Sequence, residues 1–189
     1  MRDVIEIETE RLRLRPLRMK DAPDIARYAG DGEVARMIAH APVPYLTCAA
    51  EGWIMTLRAR APLGQDFVFA IDRQGEGLVG VAGAHKRRAG DGFEVGYWIG
   101  RPFWERVYAT AALPGLVVQA GSLGPLQAGH FVDNPASGRV LEKGGFAYTG
   151  ETEQAFSIGR GARSLVRRMR YQPLGHEADF GARAEAAAC

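Results

Sequence analysis

Basic and aliphatic positions alternate over residues 9–17, Thr-Glu-Arg-Leu-Arg-Leu-Arg-Pro-Leu. Period two predicts a strand with its leucines inward and its arginines outward. Residues 67–71 and 78–84 read as two further strands joined by a polar, glycine-bearing turn. Residues 93–99, 126–132, 146–150 and 164–171 read as strands as well, the last two forming a hairpin. The helical segments are 19–29, with Ile25 and Tyr28 on one side, and 47–60, with Thr47 as cap and Trp53, Ile54 and Leu57 facing inward. Glycines at 30–32 interrupt the first helix before a short apolar segment at 34–38. Prolines at 42 and 44 make a stiff extended link to the second.

The chain is organised around residues 93–112. Phe-Glu-Val-Gly-Tyr-Trp-Ile is strand-like, with bulky side chains on both faces. Gly100 and Pro102 end it, and a helix-forming run follows. A strand feeding a helix sets the helix's free N–H groups at the strand's C-terminal end, a ready place for a phosphate. Glu94 lies inside the strand, where a carboxylate is unusual and often has a function. Pro114 falls inside the helix and costs about 3 kcal/mol there unless the helix kinks. Further on, Asn134 and Pro135 supply N-cap and N1 of a short helix that ends near 144–145.

Composition narrows the field. The 189 residues, 47% apolar and 24% charged, suit one globular domain over residues 1–171 with a tail at 172–189. No apolar run reaches a membrane-spanning length, and the first residues lack an apolar signal core, so a cytoplasmic location is expected. Cys48 and Cys189 make neither a disulfide framework nor a metal site, and the four histidines share no ligand spacing, so no metal is expected. Gly77, Gly80 and Gly83 are not a dinucleotide fingerprint, because no helix follows; they mark bulging or close packing. G-x-S-x-G and the P-loop pattern do not occur. A nucleic-acid reading of Arg11, Arg13, Arg15 and the arginines of 167–170 is opposed by a net charge of only +2.

Two stretches carry a resemblance. Glu94, Gly96 and Tyr97, then Trp104, Arg106, Tyr108, Ala109, Thr110 and Ala112, resemble the strand-loop-helix of the GNAT acyltransferase superfamily. The nearest branch is the one that includes ribosomal-protein N-terminal acetyltransferases. Asn134 and Ser137, followed by residues 140–143, Gly145 and Phe146, resemble its second motif. The departures are Glu105 and Val107, where the branch prefers glycine, and Ala111, where it prefers glutamate.

The resemblance implies an α/β fold with a central mixed, mostly antiparallel sheet of six or seven strands, helices on both faces and a V-shaped opening. It implies acetyl-CoA as co-substrate and a primary amine as acceptor, either a protein N-terminus or a small molecule. The loop residues Trp104, Arg106, Val107, Tyr108, Ala109 and Thr110 would then hold the pyrophosphate. A main-chain N–H near Ile99 would face the carbonyl oxygen, and Asn134 would touch the CoA arm. Glu94 is the candidate base, directly or through water; its alternative is an ion pair with an arginine of a neighbouring strand. Ser137 is the candidate acid, with Tyr148 as second choice; its alternative is a local backbone bond at N3. Tyr45 and Trp53 are candidates for shaping the acceptor pocket. A monomer or homodimer is expected. The rival function is a degenerate, non-catalytic acyl-CoA- or partner-binding module, which the departures at 105, 107 and 111 motivate.

Overall fold

The computed structural model describes residues 6–9, 11–87 and 92–172. The turn expected at 89–92 lies mostly outside the described residues, as does nearly all of the expected tail.

The strands are β1 (Ile7–Glu8), β2 (Arg13–Pro16), β3 (Asp66–Arg73), β4 (Gly77–Lys86), β5 (Phe93–Ile99), β6 (Leu126–Phe131), β7 (Phe146–Ser157) and β8 (Ala162–Tyr171). The helices are α1 (Ala22–Ala29), α2 (Gly32–Ala35), α3 (Thr47–Arg60), α4 (Tyr108–Gly121) and α5 (Pro135–Lys143). All eight strands form one sheet in the order β1-β2-β3-β4-β5-β6-β8-β7. The fold class is as expected, with eight strands instead of six or seven. The added strand is β1, two residues long, which folds back on β2 through a turn. There the Thr9 hydroxyl accepts from the Leu12 N–H and donates to the Leu12 carbonyl, both at 3.0 Å.

Every neighbouring pair is antiparallel except β5 and β6. Those two are paired only at Phe93↔Leu126, Glu94↔Gln127 and Val95↔Ala128. Beyond Val95 they part, and the sheet opens between its β1–β5 and β6–β8–β7 halves.

Both faces of the sheet are covered. One carries α4 and α5, with Leu113, Leu116, Val117 and Leu141 packed over Leu14, Phe69, Val79 and Val95. The other carries α1 and α3, with Ile25, Ile54 and Leu57 over Leu17, Ala70, Leu78 and Val81. The outward-facing arginines of β2 are therefore not all solvated. Arg15 is buried under the α1–α3 layer and donates to Asp21 at 2.8 and 2.9 Å, and also to Asp72. A second helical layer turned a solvent face into a buried one, and a buried guanidinium must be paired.

Other local corrections follow from backbone geometry. The segment 19–29 is a short 3-10 turn at Met19–Asp21 leading into α1. Helix α3 has Leu46 as its N-cap, with Thr47 already inside the helix and no side-chain capping bond. Strand β7 runs well past residue 150 by way of a register shift between Tyr148 and Thr152, where Gly150 has φ 85°. Gly80 and Gly83 do mark close packing: a Cβ at Gly80 would collide with the Trp98 carbonyl, and one at Gly83 would lie 2.9 Å from Val68. Helix α4 continues through Pro114 to Gly121. Gly115 lets it sit close on the sheet, since a Cβ there would meet Ile7 at 3.0 Å and Leu14 at 3.2 Å.

Candidate active site

Strand β5 supplies both walls of the opening through its alternation. The Phe93 N–H bonds the Pro125 carbonyl on the β6 side, and the Gly100 N–H bonds the Val79 carbonyl on the β4 side. The main-chain groups of Tyr97 and Ile99 therefore face the gap where β6 has departed. Side chains alternate as well. Phe93, Val95, Tyr97 and Ile99 point to the α4–α5 face, while Trp98 packs with the α1–α3 cluster. Glu94 and Gly96 share that second face with Trp98.

On the α4–α5 face Tyr97 spans the gap. Its hydroxyl lies 2.9 Å from the Ser137 carbonyl and 2.8 Å from the Ser137 hydroxyl, so β5 is tied to the first turn of α5 across the split. Burial pushes the Tyr97 phenol up to about 12, opposed by the Ser137 bond. It stays a neutral proton donor over any ordinary working range. Asn134 caps α5 by accepting from the Ser137 N–H at 3.1 Å, with Pro135 at N1 as the sequence predicts. Tyr148 points to this same face. His130 Nδ1 lies 2.9 Å from the Phe131 carbonyl, which can only accept, so Nδ1 carries the hydrogen, and Nε2 lies 2.9 Å from the Tyr148 hydroxyl. Gly138 makes room for that pair: a Cβ there would lie 2.5 Å from the Tyr148 oxygen and 2.8 Å from His130 Nε2.

On the opposite face Glu94 is gripped by Arg168 of β8, Nη1 to Oε1 at 2.8 Å and Nη2 to Oε2 at 2.6 Å. The Glu94 hydrogen bond raises the Arg168 guanidinium above its usual value despite burial. An ion pair of the kind weighed as Glu94's alternative role is therefore present, though its arginine comes from β8, with β6 between, and not from a neighbouring strand. Glu94 and Ser137 lie on opposite faces of the sheet, with the opening between them.

The third component is the entrance of α4. Val107 is its N-cap at φ 55°, ψ 17°, without a side-chain capping bond, and the Ala111 N–H makes the first bond back to the Val107 carbonyl. The N–H groups of Tyr108, Ala109 and Thr110 thus have no partner within the helix. Glu105 has φ 64°, and it and Val107 are the only non-glycine residues at positive φ among the described residues. A left-handed residue beside a right-handed one, as Val107 beside helical Tyr108, turns neighbouring N–H groups toward one side, as in an anion-holding concavity. The two positions where the resembled branch prefers glycine are therefore the two whose backbone angles favour glycine. Val107 remains 59% exposed, so its branched side chain is not packed into the core. Trp104 anchors the loop by donating Nε1–H to the Ile99 carbonyl at 2.8 Å.

Beside this entrance lies a groove of about 1040 Å³ whose lining includes Arg13, Arg73, Glu105, Arg106, Val107 and Tyr108. Arg106 leans toward Glu76 on the β3–β4 turn at 3.5 Å, and Arg73 lies over the Tyr108 ring at 5.6 Å. Uncapped amides, a concave loop and cations on the wall fit a phosphorylated ligand.

Sequence reasoning missed Arg168 and Tyr97 as partners of its chosen residues. The period-two arginines of 167–170 were the available signal for the first, and the tyrosine inside the strand motif for the second.

The sequence matches the model of the acetyltransferase (GNAT) domain over residues 11–147. No curated protein matched it in sequence. Solved structures share the fold. An α-N-protein acetyltransferase of ribosomal L7/L12, RimL, in complex with coenzyme A has 17% identity and a TM-score of 0.76, over 88% of this chain and 97% of that one. RimJ of Mycobacterium smegmatis, in complex with a CoA disulfide, has 25% identity and a TM-score of 0.71, over 87% and 84%. The microcin C7 self-immunity acetyltransferase MccE, in complex with acetyl-CoA and AMP, has 17% identity and a TM-score of 0.72, over 86% and 92%. With the split sheet, the open helix entrance and a family model spanning most of the described residues, the chain belongs to the GNAT acetyltransferase family.

Proposed function

We propose that this chain is an acetyl-CoA-dependent N-acetyltransferase acting on a primary amine. The observation that carries the reading is the uncapped entrance of α4, in its left-handed loop, beside a sheet that opens after Val95. The N–H groups of Tyr108, Ala109 and Thr110 hold the pyrophosphate, with the backbone from Trp104 to Val107 closing over it. Arg106 adds a positive charge from the groove wall. Acetyl-CoA supplies the acyl group as a thioester.

The remaining roles fall to the walls of the opening. The Ile99 N–H faces the gap and donates to the carbonyl oxygen as negative charge develops there. Ser137, backed by Tyr97, donates a proton to the departing sulfur. Asn134 fixes the turn that presents Ser137 and lines the path of the CoA arm. Glu94, paired with Arg168 on the other face, draws an ammonium group toward the gap. The acceptor is a protein N-terminus or a small amine.

The second reading is a CoA-binding module without turnover. It is favoured by Glu105 and Val107, which stand at left-handed positions without being glycine. Calorimetry with acetyl-CoA and with CoA, followed by thiol release over polyamines, amino acids, aminoglycosides and short peptides, separates the two. Binding with turnover supports the transferase. Binding without turnover supports the module, and no heat at millimolar ligand rejects both.

A further inference from the structure

A second polar constellation lies on the α1–α3 face, one strand from Glu94. Asp66, His85 and Glu94 stand side by side across β3, β4 and β5, in the register Asp66↔His85 and His85↔Glu94. The Asp66 side chain is 1% exposed, and its Oδ1 lies 2.6 Å from His85 Nδ1. An ionised carboxylate only accepts, so Nδ1 carries the hydrogen, and whenever the ring is neutral its lone pair is on Nε2. Arg60 of α3 places Nε 2.7 Å from the other Asp66 oxygen, close enough for an ion pair but not aligned for a hydrogen bond.

Nε2 has no protein partner among the described residues, and the His85 side chain stays 42% exposed. It leans over Gly83, 3.4 Å from where a Cβ would stand. Gly83 pairs with Gly96, and a Cβ on Gly96 would meet nothing within 4 Å. Gly96 is the first β5 residue past the last β5–β6 pair. Gly96 thus leaves open space at the vertex of the opening, while Gly83 beside it is covered by Val68 and by the edge of the imidazole that carries Nε2. Both Glu94 oxygens are already engaged by Arg168.

From this arrangement we propose that His85, oriented by Asp66, takes the proton from the acceptor amine. The assignment rests on the transferase reading above. One proton passes from the ammonium to Nε2 and on to solvent. The nitrogen lone pair then forms the C–N bond as the C–S bond breaks; Ser137 gives its proton to the departing thiolate, and the second nitrogen proton restores the Ser137 hydroxyl by way of solvent. A base oriented by a buried carboxylate is the general arrangement for such a step, and imidazole is the side chain suited to it near neutral pH. Asp66 is a positioning residue. The charged groups around the ring are Asp66, Arg60 behind it, Glu94 on β5, and Arg168 beyond.

Two measurements test the assignment. Long-range proton–nitrogen correlation spectra read the His85 tautomer without any substrate. They are expected to show hydrogen on Nδ1 and a bare Nε2, and the reverse tautomer overturns the proposal. Kinetics over pH 6–9 then compare the wild type with His85→Gln and Asp66→Asn, using spermidine and an alanine-led peptide as acceptors. His85→Gln is expected to lose about 100-fold or more in kcat/KM, together with the acid limb of the profile. Its acetyl-CoA affinity, read by calorimetry, stays within twofold. Asp66→Asn is expected to lose less and to move the limb. A His85→Gln variant within threefold of wild type, with the limb unmoved, overturns the proposal. A wild type that does not bind acetyl-CoA, or binds it and acetylates no amine of the panel above, removes the transferase reading and this assignment with it.

Discussion

Arg168 holds Glu94 through two parallel bonds, 2.8 and 2.6 Å long, from β8 across the line where the two halves of the sheet diverge. Strand β6 stands between them, and Gly129, which faces Arg168 in the register, leaves the space through which the guanidinium reaches. The pair closes the base of the opening on one face, as Tyr97 and Ser137 bridge it on the other.

The Glu94–Arg168 pair couples the sheet halves. A double-mutant cycle of Glu94→Gln and Arg168→Met, read by urea unfolding, is expected to give a coupling of roughly 1–2 kcal/mol, as for a charge-assisted pair with partly exposed partners. In acetylation assays Glu94→Gln is expected to weaken amine use about tenfold, a figure in the range of one lost charged contact. Acetyl-CoA affinity is expected to hold. Additive stability effects would show that the pair does not link the halves.

The Arg15–Asp21 pair predicts acid sensitivity. Burial pushes the Asp21 carboxyl up, but the Arg15 guanidinium and the Arg18 N–H together bring it below its ordinary value. A carboxylate lowered in the folded state stabilises fully above its unfolded value, about 3.9, and that contribution is lost as pH falls through the folded value. Asp21→Asn is expected to cost about 3 kcal/mol at neutral pH, because it leaves a buried guanidinium short of a partner. Stability measured from pH 6 down to 2 should fall less steeply in the Asp21→Asn variant than in wild type; parallel curves would contradict this.

Val107→Gly tests the loop. Valine at φ 55° carries strain of order 1–3 kcal/mol, which glycine relieves, against a backbone entropy cost of about 0.5–1 kcal/mol. The variant is expected to melt no lower than wild type and to bind CoA at least as tightly. A fall of several degrees in Tm would show that the valine side chain is needed.

Gly138→Ala tests the packing of α5 over the His130–Tyr148 pair. The added methyl lies 2.5 Å from the Tyr148 oxygen, so α5 must lift or the pair must separate, at about 1–3 kcal/mol. Alanine otherwise favours a helix over glycine. An unchanged or higher Tm would refute the contact.

The sequence showed the strands and long helices because period-two and period-3.6 patterns report local burial. It also singled out Glu105 and Val107, which the backbone places at the two non-glycine left-handed positions among the described residues. It did not show the burial of Arg15, since alternation cannot tell whether a second layer covers a strand's other face. Nor did it show Arg168 on Glu94 or Asp66 on His85. These contacts join residues 74 and 19 positions apart through strand order and register, which no local pattern encodes. Residues 9–17 and 146–150 differ for a similar reason, because β1 and the long β7 depend on turns at Thr9 and Gly150.

The most direct measurement of the central claim is calorimetric titration of the full chain with acetyl-CoA, followed by thiol release on adding the amine panel. The account predicts a saturable heat with one site per chain, and release of CoA with at least one primary amine. The absence of heat at millimolar acetyl-CoA would contradict it.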